Sequence, residues 1–314
     1  MTARHYPLPA RGLALVVVLW TVVLLAVLSG SFLSAMRAEI RMAHNLLAAT
    51  QARLLAEAGI NRAILGLHQP DAARRPVADD RQNLLTTPAA PVRFRVLDET
   101  ARIDLNKASA ELLSGLFAAL SIDADISARL IDCILDWRDA DALRHTHGAE
   151  DGDYRTANLP YDAKDAPFDS VEELLLLPGM THELYARLTP SLTIHSGQAG
   201  IDPTLAAPRL LSAFPGVTRE QADAYLTVRG ILRDAGRAPP LPDFIDRRYI
   251  TTGRGLVYTV SASVELPQGG AAAIETTLRI QRNRPDRPVV ILRWQETDSD
   301  IPAAVTPLAG EENS

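Results

Sequence analysis

The chain has 314 residues, of which 47% are hydrophobic, so it can bury one large core or two modest ones. Its formal net charge of -6 argues against a protein whose main partner is nucleic acid, because binding to a phosphate backbone needs a clustered basic face. The single cysteine, Cys133, excludes an intrachain disulfide. It lies in an apolar stretch, which favours a small buried residue over a reactive thiol.

An uncharged apolar run covers residues 13–36 and is long enough to cross a bilayer as one helix. Arg4 and Arg11 precede it, so the positive-inside rule places the short N-terminus in the cytoplasm and the rest across the membrane. The run is longer than the core of a signal peptide, and the helical pattern continues past it. Apolar residues recur there on one helix side: Ile40, Ala43, Leu47, Leu54, Ala58 and Leu65. The sequence therefore predicts one helix over 13–67, apolar first and then amphipathic.

The pair Arg11-Gly12 directly before this helix makes the N-terminus resemble a type IV prepilin of the pilin and pseudopilin superfamily. The resemblance implies that a prepilin peptidase cuts between Gly12 and Leu13 and that the new N-terminus is methylated. Most members carry a glutamate as the fifth residue after the cut, where it is thought to pair with the amine of a neighbouring subunit. Val17 stands there in this chain. Because an unpaired carboxylate in the membrane is costly, its loss fits a subunit at the end of a filament.

Four segments with a two-residue alternation predict a small antiparallel sheet packed on the second half of this helix. They are residues 92–96, 258–264, 274–280 and 290–294, the first following a Pro-, Ala-, Asp- and Arg-rich connector. Between the first and second segments, residues 106–246 read as almost entirely helical. The predicted organisation is a leader (1–12), the helix (13–67), a connector with the first strand or strands (68–105), the helical domain (106–246), the last strands (247–296) and a flexible tail (297–314). This is an α+β, pilin-like fold interrupted by a large all-helical insertion.

Two Pro-Gly turns in the helical part, Pro178-Gly179 and Pro215-Gly216, resemble helix-hairpin-helix units, which bind DNA phosphates. A weak internal repeat, Ile103-Asp104 and Ile201-Asp202, supports some duplication. The residues that follow the turns lack the Lys and Arg of working DNA-binding hairpins. Structural scaffolding is therefore favoured over DNA binding, and no nucleic-acid partner is expected.

An acidic cluster follows the predicted helix that contains Cys133. Its carboxylates are those of Asp136, Asp139, Asp141, Glu150, Asp151 and Asp153. Packed together they would repel one another, and a hard divalent ion would offset that repulsion, calcium better than zinc or magnesium. The spacing is not that of an EF-hand, so metal binding and a solvated acidic loop both remain open. His145 and His147 lack a second pair of soft ligands nearby and are interpreted as part of a polar loop, while Arg138 is a candidate to neutralise one aspartate.

Val17, the helical insertion and the stretch from Asp136 to Tyr154, with Ser170-Val171-Glu172 after it, together resemble the K-type minor pseudopilin of type II secretion systems. In that family the acidic segment binds calcium, which makes Asp136, Asp139, Asp141, Glu150 and Asp151 candidate ligands, with Asp153 beside them. The resemblance implies a single-pass bacterial inner-membrane protein with its C-terminal domain in the periplasm. Its partners would be two other minor pseudopilins at the pseudopilus tip, the major pseudopilin and the prepilin peptidase.

The predicted function is a non-enzymatic one: to initiate or cap a periplasmic filament that exports proteins. No nucleophile motif, phosphate-binding glycine loop or Cys/His metal constellation is present in the sequence. Two alternatives stay open at this point. One is a minor pilin of a type IV pilus, and the other is a membrane-tethered DNA-binding protein that uses its hairpin turns.

Overall fold

A single long helix begins the computed structural model, which describes residues 11–69, 71, 75–252 and 255–297. Helix α1 (Arg11–Leu67) has 57 residues. At about 1.5 Å per residue it is roughly 85 Å long. It contains an 18-residue window with a mean hydropathy of 2.5 and no buried residue, which is long and apolar enough to cross a membrane. Residues 1–10 of the predicted leader and 298–314 of the predicted tail lie outside the described residues.

The sheet has five antiparallel strands in the order β1-β2-β5-β6-β7. Their bounds are β1 (Asn83–Leu85), β2 (Val92–Asp98), β5 (Val257–Glu265), β6 (Ala271–Ile280) and β7 (Val289–Thr297). The four segments with alternating polarity thus form β2, β5, β6 and β7. Strand β1 has only three residues, too few for an alternation to be recognised.

Central strand β5 is buried on both faces, although its alternation predicts a half-buried strand. Its apolar residues face α1. On the opposite face, Thr259 donates a hydrogen bond from Oγ1 to Glu99 Oε1 at 2.6 Å. The Thr259 hydroxyl is therefore buried with a hydrogen-bond partner, as a buried polar group requires.

Small residues carry the contact between α1 and the sheet. The buried positions toward the sheet are Ala48, Ala52, Ala56, Ile60 and Ala63. A Cβ on Gly59 would lie only 2.8 Å from the side chain of Val92, so the close approach of helix and sheet requires glycine there.

Several larger apolar residues of the same helix point away from the sheet. Between 59% and 70% of their surface is exposed in the leucine stripe, which consists of Ile40, Leu47, Leu54 and Leu65. At 100° per residue these positions fall on one line, on the side of α1 opposite the buried alanines. The amphipathic pattern seen in the sequence therefore marks a surface that the chain itself leaves uncovered.

The helical insert, defined as the chain between β2 and β5, has a hydrophobic core of its own. Its α-helices are α2 (Ala110–Ala119), α3 (Ala124–Arg138), α4 (Asp151–Thr156), α5 (His182–Leu188), α6 (Pro208–Leu211) and α7 (Arg219–Asp234). Short 3-10 turns cover Glu99–Ala101, Val171–Leu176, Thr189–Ser191 and Arg247–Tyr249. Strands β3 (Ile103–Asp104) and β4 (Leu192–Thr193) form a small parallel pair. Cys133 is buried in this core, as predicted, and burial raises the pKa of its thiol to about 12.

The insert contains two units of the same local design, which the weak sequence repeat anticipates. In the first, Asp104 Oδ1 accepts a hydrogen bond from the Asn106 amide at 2.9 Å. In the second, Asp202 Oδ1 accepts one from the Thr204 amide at 2.8 Å. Each aspartate thus closes a tight turn before the next helix of its unit.

An arginine on a later helix ties each unit together. The guanidinium of Arg138, on α3, and that of Arg229, on α7, each donate to two backbone carbonyls. The acceptors are the first and fourth residues after the aspartate, namely Leu105 and Ala108 in the first unit and Pro203 and Ala206 in the second. Arg138 therefore binds main chain, while burial lowers the pKa of its guanidinium and the charges of Asp104 and Asp139 oppose that shift.

Both Pro-Gly turns use glycine in the left-handed region, with φ of +87° at Gly179 and +79° at Gly216. The helices that follow are capped by their own chain. Thr181 Oγ1 accepts from the Leu184 amide, and Thr218 Oγ1 accepts from the Gln221 amide. Since these hydroxyls occupy amides at the helix starts, the turns are built as structural corners.

Candidate metal centre

The candidate metal centre lies where α3 ends and a polar loop begins. Asp136 is in the last turn of α3 and its side chain is fully buried, while Asp139 is the C-cap of this helix. Among the described residues, one group of potential metal ligands stands out: Asp136, Asp139 and His145. One potential ligand atom from each lies within 4.8 Å of the others. The helix end therefore brings together two of the predicted ligands and one histidine.

Three buried carboxylate oxygens at this centre have no hydrogen-bond partner. They are Asp136 Oδ2, Asp139 Oδ1 and Glu150 Oε1. A buried acceptor without a donor costs on the order of 1–3 kcal/mol, and more when it is charged. A divalent cation would satisfy several such oxygens at once, because hard cations bind carboxylates. The residues present thus fit a metal ion of this class.

The electrostatics agree with this geometry. Burial raises the pKa of Glu150 to about 7, and the negative charges of Asp136, Asp165, Asp139 and Asp151 add to the shift. Burial also raises the pKa of Asp139, with the charges of Asp141 and Asp136 acting in the same direction. A cation would reverse both effects by favouring the ionised carboxylates.

Two histidines fasten the loop to α3. The backbone amide of His145 donates to Asp136 Oδ1 at 3.1 Å, and its ring Nδ1 contacts the same oxygen. One helical turn earlier, the amide and ring Nδ1 of His147 lie 2.9 and 3.2 Å from Asp132 Oδ2. The two His–Asp pairs have the same design, but only the first belongs to the metal-ligand group.

The other predicted ligands lie around the centre with partners of their own. Asp141 Oδ1 accepts from the Leu143 amide at 2.8 Å. Asp151 pairs with Arg155 at 3.0 Å, and Asp153 pairs with Arg144 at 3.1 Å. The second oxygen of Asp153 accepts from the Glu150 amide in a capping box at the start of α4. The geometry therefore gathers Asp136 and Asp139 with His145 and leaves these three outside that group.

Aromatic side chains pack together beside the end of α3. Trp137 packs against Tyr154 and Phe168, with ring centroids 5.9 and 6.3 Å apart. The indole Nε1 donates to Glu173 Oε2 at 3.1 Å, and Lys164 Nζ binds the same carboxylate at 2.8 Å. Since Trp137 follows Asp136 directly, this packing fixes the end of α3 on which the carboxylates stand.

Sequence reasoning missed two residues near the centre, His145 and Asp165. The criterion that favours a polar loop for His145, the lack of a second pair of soft ligands nearby, suits zinc sites and not carboxylate-rich ones. Asp165 lies far along the chain, at a positive φ of 50°, and only the folded loop brings its charge toward Glu150. No signal in the sequence points to that contact.

Comparisons with known proteins agree on one family. Residues 83–197 match the family model described as type II secretion system (T2SS), protein K. A type II secretion system protein K from Aeromonas hydrophila is 29% identical over 207 residues, which are 57% of this chain and 62% of the relative. Its counterpart from Pectobacterium carotovorum subsp. carotovorum is 27% identical over 145 residues, 42% of this chain and 44% of the relative. The matches thus span less than two thirds of each relative's length.

The fold is shared with a solved structure. A chain in the crystal structure of the GspK-GspI-GspJ complex of the type II secretion system from enterotoxigenic Escherichia coli superposes with a TM-score of 0.54 at 16% identity. The superposition covers 84% of this chain and 99% of that one, so it includes both the sheet and the helical insert. The sequence matches make part of the chain similar to type II secretion system protein K, and the shared fold agrees with that similarity.

Proposed function

We propose that the chain is a minor pseudopilin that initiates or caps the periplasmic pseudopilus of a type II secretion system, in a tip complex with other minor pseudopilins. The main support for this proposal is the fold, in which a pilin-like helix and sheet are interrupted by a helical insert. A chain from the GspK-GspI-GspJ complex shares this fold. The proposed role is structural, as a component of a secretion machine. The family match at residues 83–197 favours this function over a type IV pilus minor pilin.

The position of the insert supports a place at the tip. The chain leaves the sheet at Asp98 and returns at Val257, and Asp98 is paired in register with Tyr258. Both residues lie at the end of the sheet near Leu67, the last residue of α1, as their shared cavity demonstrates. The insert therefore occupies the end of the head farthest from the apolar half of α1. A bulky domain there obstructs the addition of a further subunit above it.

The leucine stripe of α1 supplies a contact surface for a neighbouring subunit. It runs from the apolar half of the helix into the half that carries the sheet, with Ile40, Leu47 and Leu54 at seven-residue spacing. This spacing suits packing against another helix, since residues seven apart keep facing one partner. The N-terminal helix of a second pilin-like subunit is the occupant that fits an apolar stripe continuous with a membrane anchor.

Membrane insertion and processing complete the proposal. The chain sits in the bacterial inner membrane through α1, with the sheet and insert in the periplasm. A prepilin peptidase cuts between Gly12 and Leu13, the new N-terminus is methylated, and the major pseudopilin then extends below the tip. Val17 in place of the usual glutamate fits a subunit with no neighbour ahead of it.

The acidic centre binds calcium in this proposal. Asp136, Asp139 and Glu150 supply the buried oxygens, and Asp141, Asp151 and Asp153 are further candidate ligands. The ion would join the end of α3 to the start of α4 and so hold the polar loop between them. Its contribution is to the stability of the insert, because no reaction is assigned to this site.

A pull-down from detergent-solubilised inner membrane tests the assembly. The tagged full-length chain should retain two other small proteins with pilin-like N-termini, identified by mass spectrometry. A double variant, Leu47→Gln with Leu54→Gln, should lose them. Ile231→Gln, at a comparably exposed apolar residue on α7, should retain them. Purification of the unmodified chain alone would contradict the tip complex.

A further inference from the structure

The feature that the proposed calcium site leaves unexplained is the imidazole of His145. Calcium binds oxygen ligands, so a calcium site does not require a ring nitrogen. Yet a ring nitrogen of His145 lies within 4.8 Å of the carboxylate oxygens of Asp136 and Asp139, which makes it the third member of the ligand group. Its Nδ1 faces Asp136 Oδ1, the oxygen that also accepts the His145 amide.

His147 provides the internal comparison. It repeats the same amide and Nδ1 contacts with Asp132, so such a pair suffices to fasten the loop to α3. Around His147, however, no group of metal ligands forms among the described residues, and Asp132 has no orphaned buried oxygen there. Next to His145, in contrast, the fully buried Asp136 keeps one oxygen without a partner, as does Asp139. The difference between the two pairs indicates that His145 does more than fasten the loop and is placed to bind a metal ion.

We propose that His145 is a direct ligand of the cation held by Asp136 and Asp139, which makes this a mixed nitrogen and oxygen site that accepts a first-row divalent cation such as Mn²⁺ in addition to Ca²⁺. The inference rests on the proposed function only in that the centre holds a divalent cation. Two carboxylates and one imidazole suit ions that are softer than calcium, because imidazole binds first-row transition ions well. The neutral imidazole of His145 would bind the ion through the lone pair of a ring nitrogen, which requires the ring to turn from Asp136 toward the ion.

Mn²⁺ is the probe that tests this directly. The full-length chain in detergent is loaded with Mn²⁺, and pulsed electron paramagnetic resonance measures the coupling between the ion and ¹⁴N nuclei. Coupling typical of a bound imidazole is expected in the unmodified chain and in His147→Gln, and it should vanish in His145→Gln. A second preparation carrying ¹⁵N-labelled histidine needs no variant: the ¹⁴N signal should be replaced by that of ¹⁵N.

Affinities separate this inference from the proposed calcium site. Calorimetry should show Mn²⁺ competing with Ca²⁺ for one site, and His145→Gln should weaken Mn²⁺ binding by about tenfold or more while Ca²⁺ affinity falls much less. Binding of Mn²⁺ without imidazole coupling would overturn the inference and leave His145 as a residue that only orients Asp136. If neither ion binds, the metal centre itself fails, and the proposed role at the tip then rests on the fold and the leucine stripe.

Discussion

Gly148 and Asp136 are in such close contact that a Cβ on Gly148 would lie 1.8 Å from Asp136 Oδ2 and 2.7 Å from its Cγ. This oxygen is one of the buried acceptors without a partner. The loop can therefore close over the end of α3 only with glycine at 148. The requirement is one of space, because this glycine has no positive φ.

Gly148→Ala should displace the Asp136 carboxylate. We expect the free energy of unfolding to fall by about 1–3 kcal/mol, as for other overpacked buried positions, and divalent cation binding to be lost. Thermal melting and calorimetry of the full-length chain measure both. Gly152→Ala is the matched control, since nothing lies within 4 Å of its added methyl group and it lies in α4. Normal cation binding by Gly148→Ala would contradict the proposed geometry.

Asp136→Asn should abolish the stabilisation by calcium. In the unmodified chain, calcium at 100 times its dissociation constant should add about 2.7 kcal/mol to the free energy of unfolding. Asparagine keeps the shape of the side chain but removes the charge that binds the ion. In chelator the variant should melt at the same temperature as the unmodified chain or above it, because a buried carboxylate with one unpartnered oxygen, Oδ2, has been replaced by a neutral amide.

Asp132→Asn is the control for that experiment, because Asp132 fastens His147 and lies outside the ligand group. It should keep the response to calcium. A loss of stability in Asp136→Asn that is equal with and without calcium would mean that Asp136 serves only to hold the His145 amide.

Local patterns in the sequence were sufficient to predict much of this fold. The two-residue alternation located β2, β5, β6 and β7, and the uncharged run with its helical continuation located α1. These predictions succeeded because each depends on neighbours within one element, where the periodicity of side chains is fixed by backbone geometry.

What the sequence did not reveal depends on contacts between distant segments. The side of α1 that meets the sheet consists mainly of alanines, which carry a weak hydrophobic signal, while the strong signal of Leu47 and Leu54 marks the exposed side. Likewise, the proximity of His145 to Asp136 arises from a loop that folds back on its helix. Such contacts between distant segments depend on how well the side chains fit together, and here small side chains permit the close packing.

Substitutions on the two sides of α1 should therefore have different effects: one side governs stability and the other governs the binding of partner subunits. Ala56→Leu puts a large side chain against the sheet, and the free energy of unfolding should fall by about 1–3 kcal/mol. Leu54→Ala removes an exposed side chain, so stability should change by less than about 0.5 kcal/mol while retention of partner subunits weakens. Thermal melting and the membrane pull-down distinguish the two effects. A large loss of stability in Leu54→Ala would show that the leucine stripe is covered within the chain.

The repeated arginine contacts should be equivalent in energy. Burial lowers the pKa of Arg229 to about 10, yet its guanidinium still bridges two carbonyls, as does that of the half-buried Arg138 in the first unit. Arg229→Met and Arg138→Met leave these carbonyls without donors, and each should cost about 2–4 kcal/mol. Arg219→Met, at an exposed side chain near the start of α7, serves as the control in chemical denaturation. A strong effect at one arginine alone would argue against two equivalent units.

His195 should make the junction between insert and sheet sensitive to acid. Burial lowers the pKa of its imidazole; the carboxylates of Glu99 and Asp104 oppose this shift, and the guanidinium groups of Arg279 and Arg293 reinforce it. Since the folded pKa lies below the unfolded value near 6.5, the unfolded chain takes up this proton first. Stability from this group is complete above the unfolded pKa and decreases as the pH falls through 6.5 toward the folded pKa.

The measurement compares melting temperatures of the unmodified chain and His195→Gln between about pH 7.5 and pH 5.5. The unmodified chain should lose more stability on acidification, because glutamine takes up no proton. Every other titrating group, including Glu150 with its opposite trend, is present in both chains, so the difference between the two curves isolates His195. Parallel curves would mean that the imidazole is protonated at the junction without loss of stability, for instance because the charged ring reorients toward the Glu99 carboxylate.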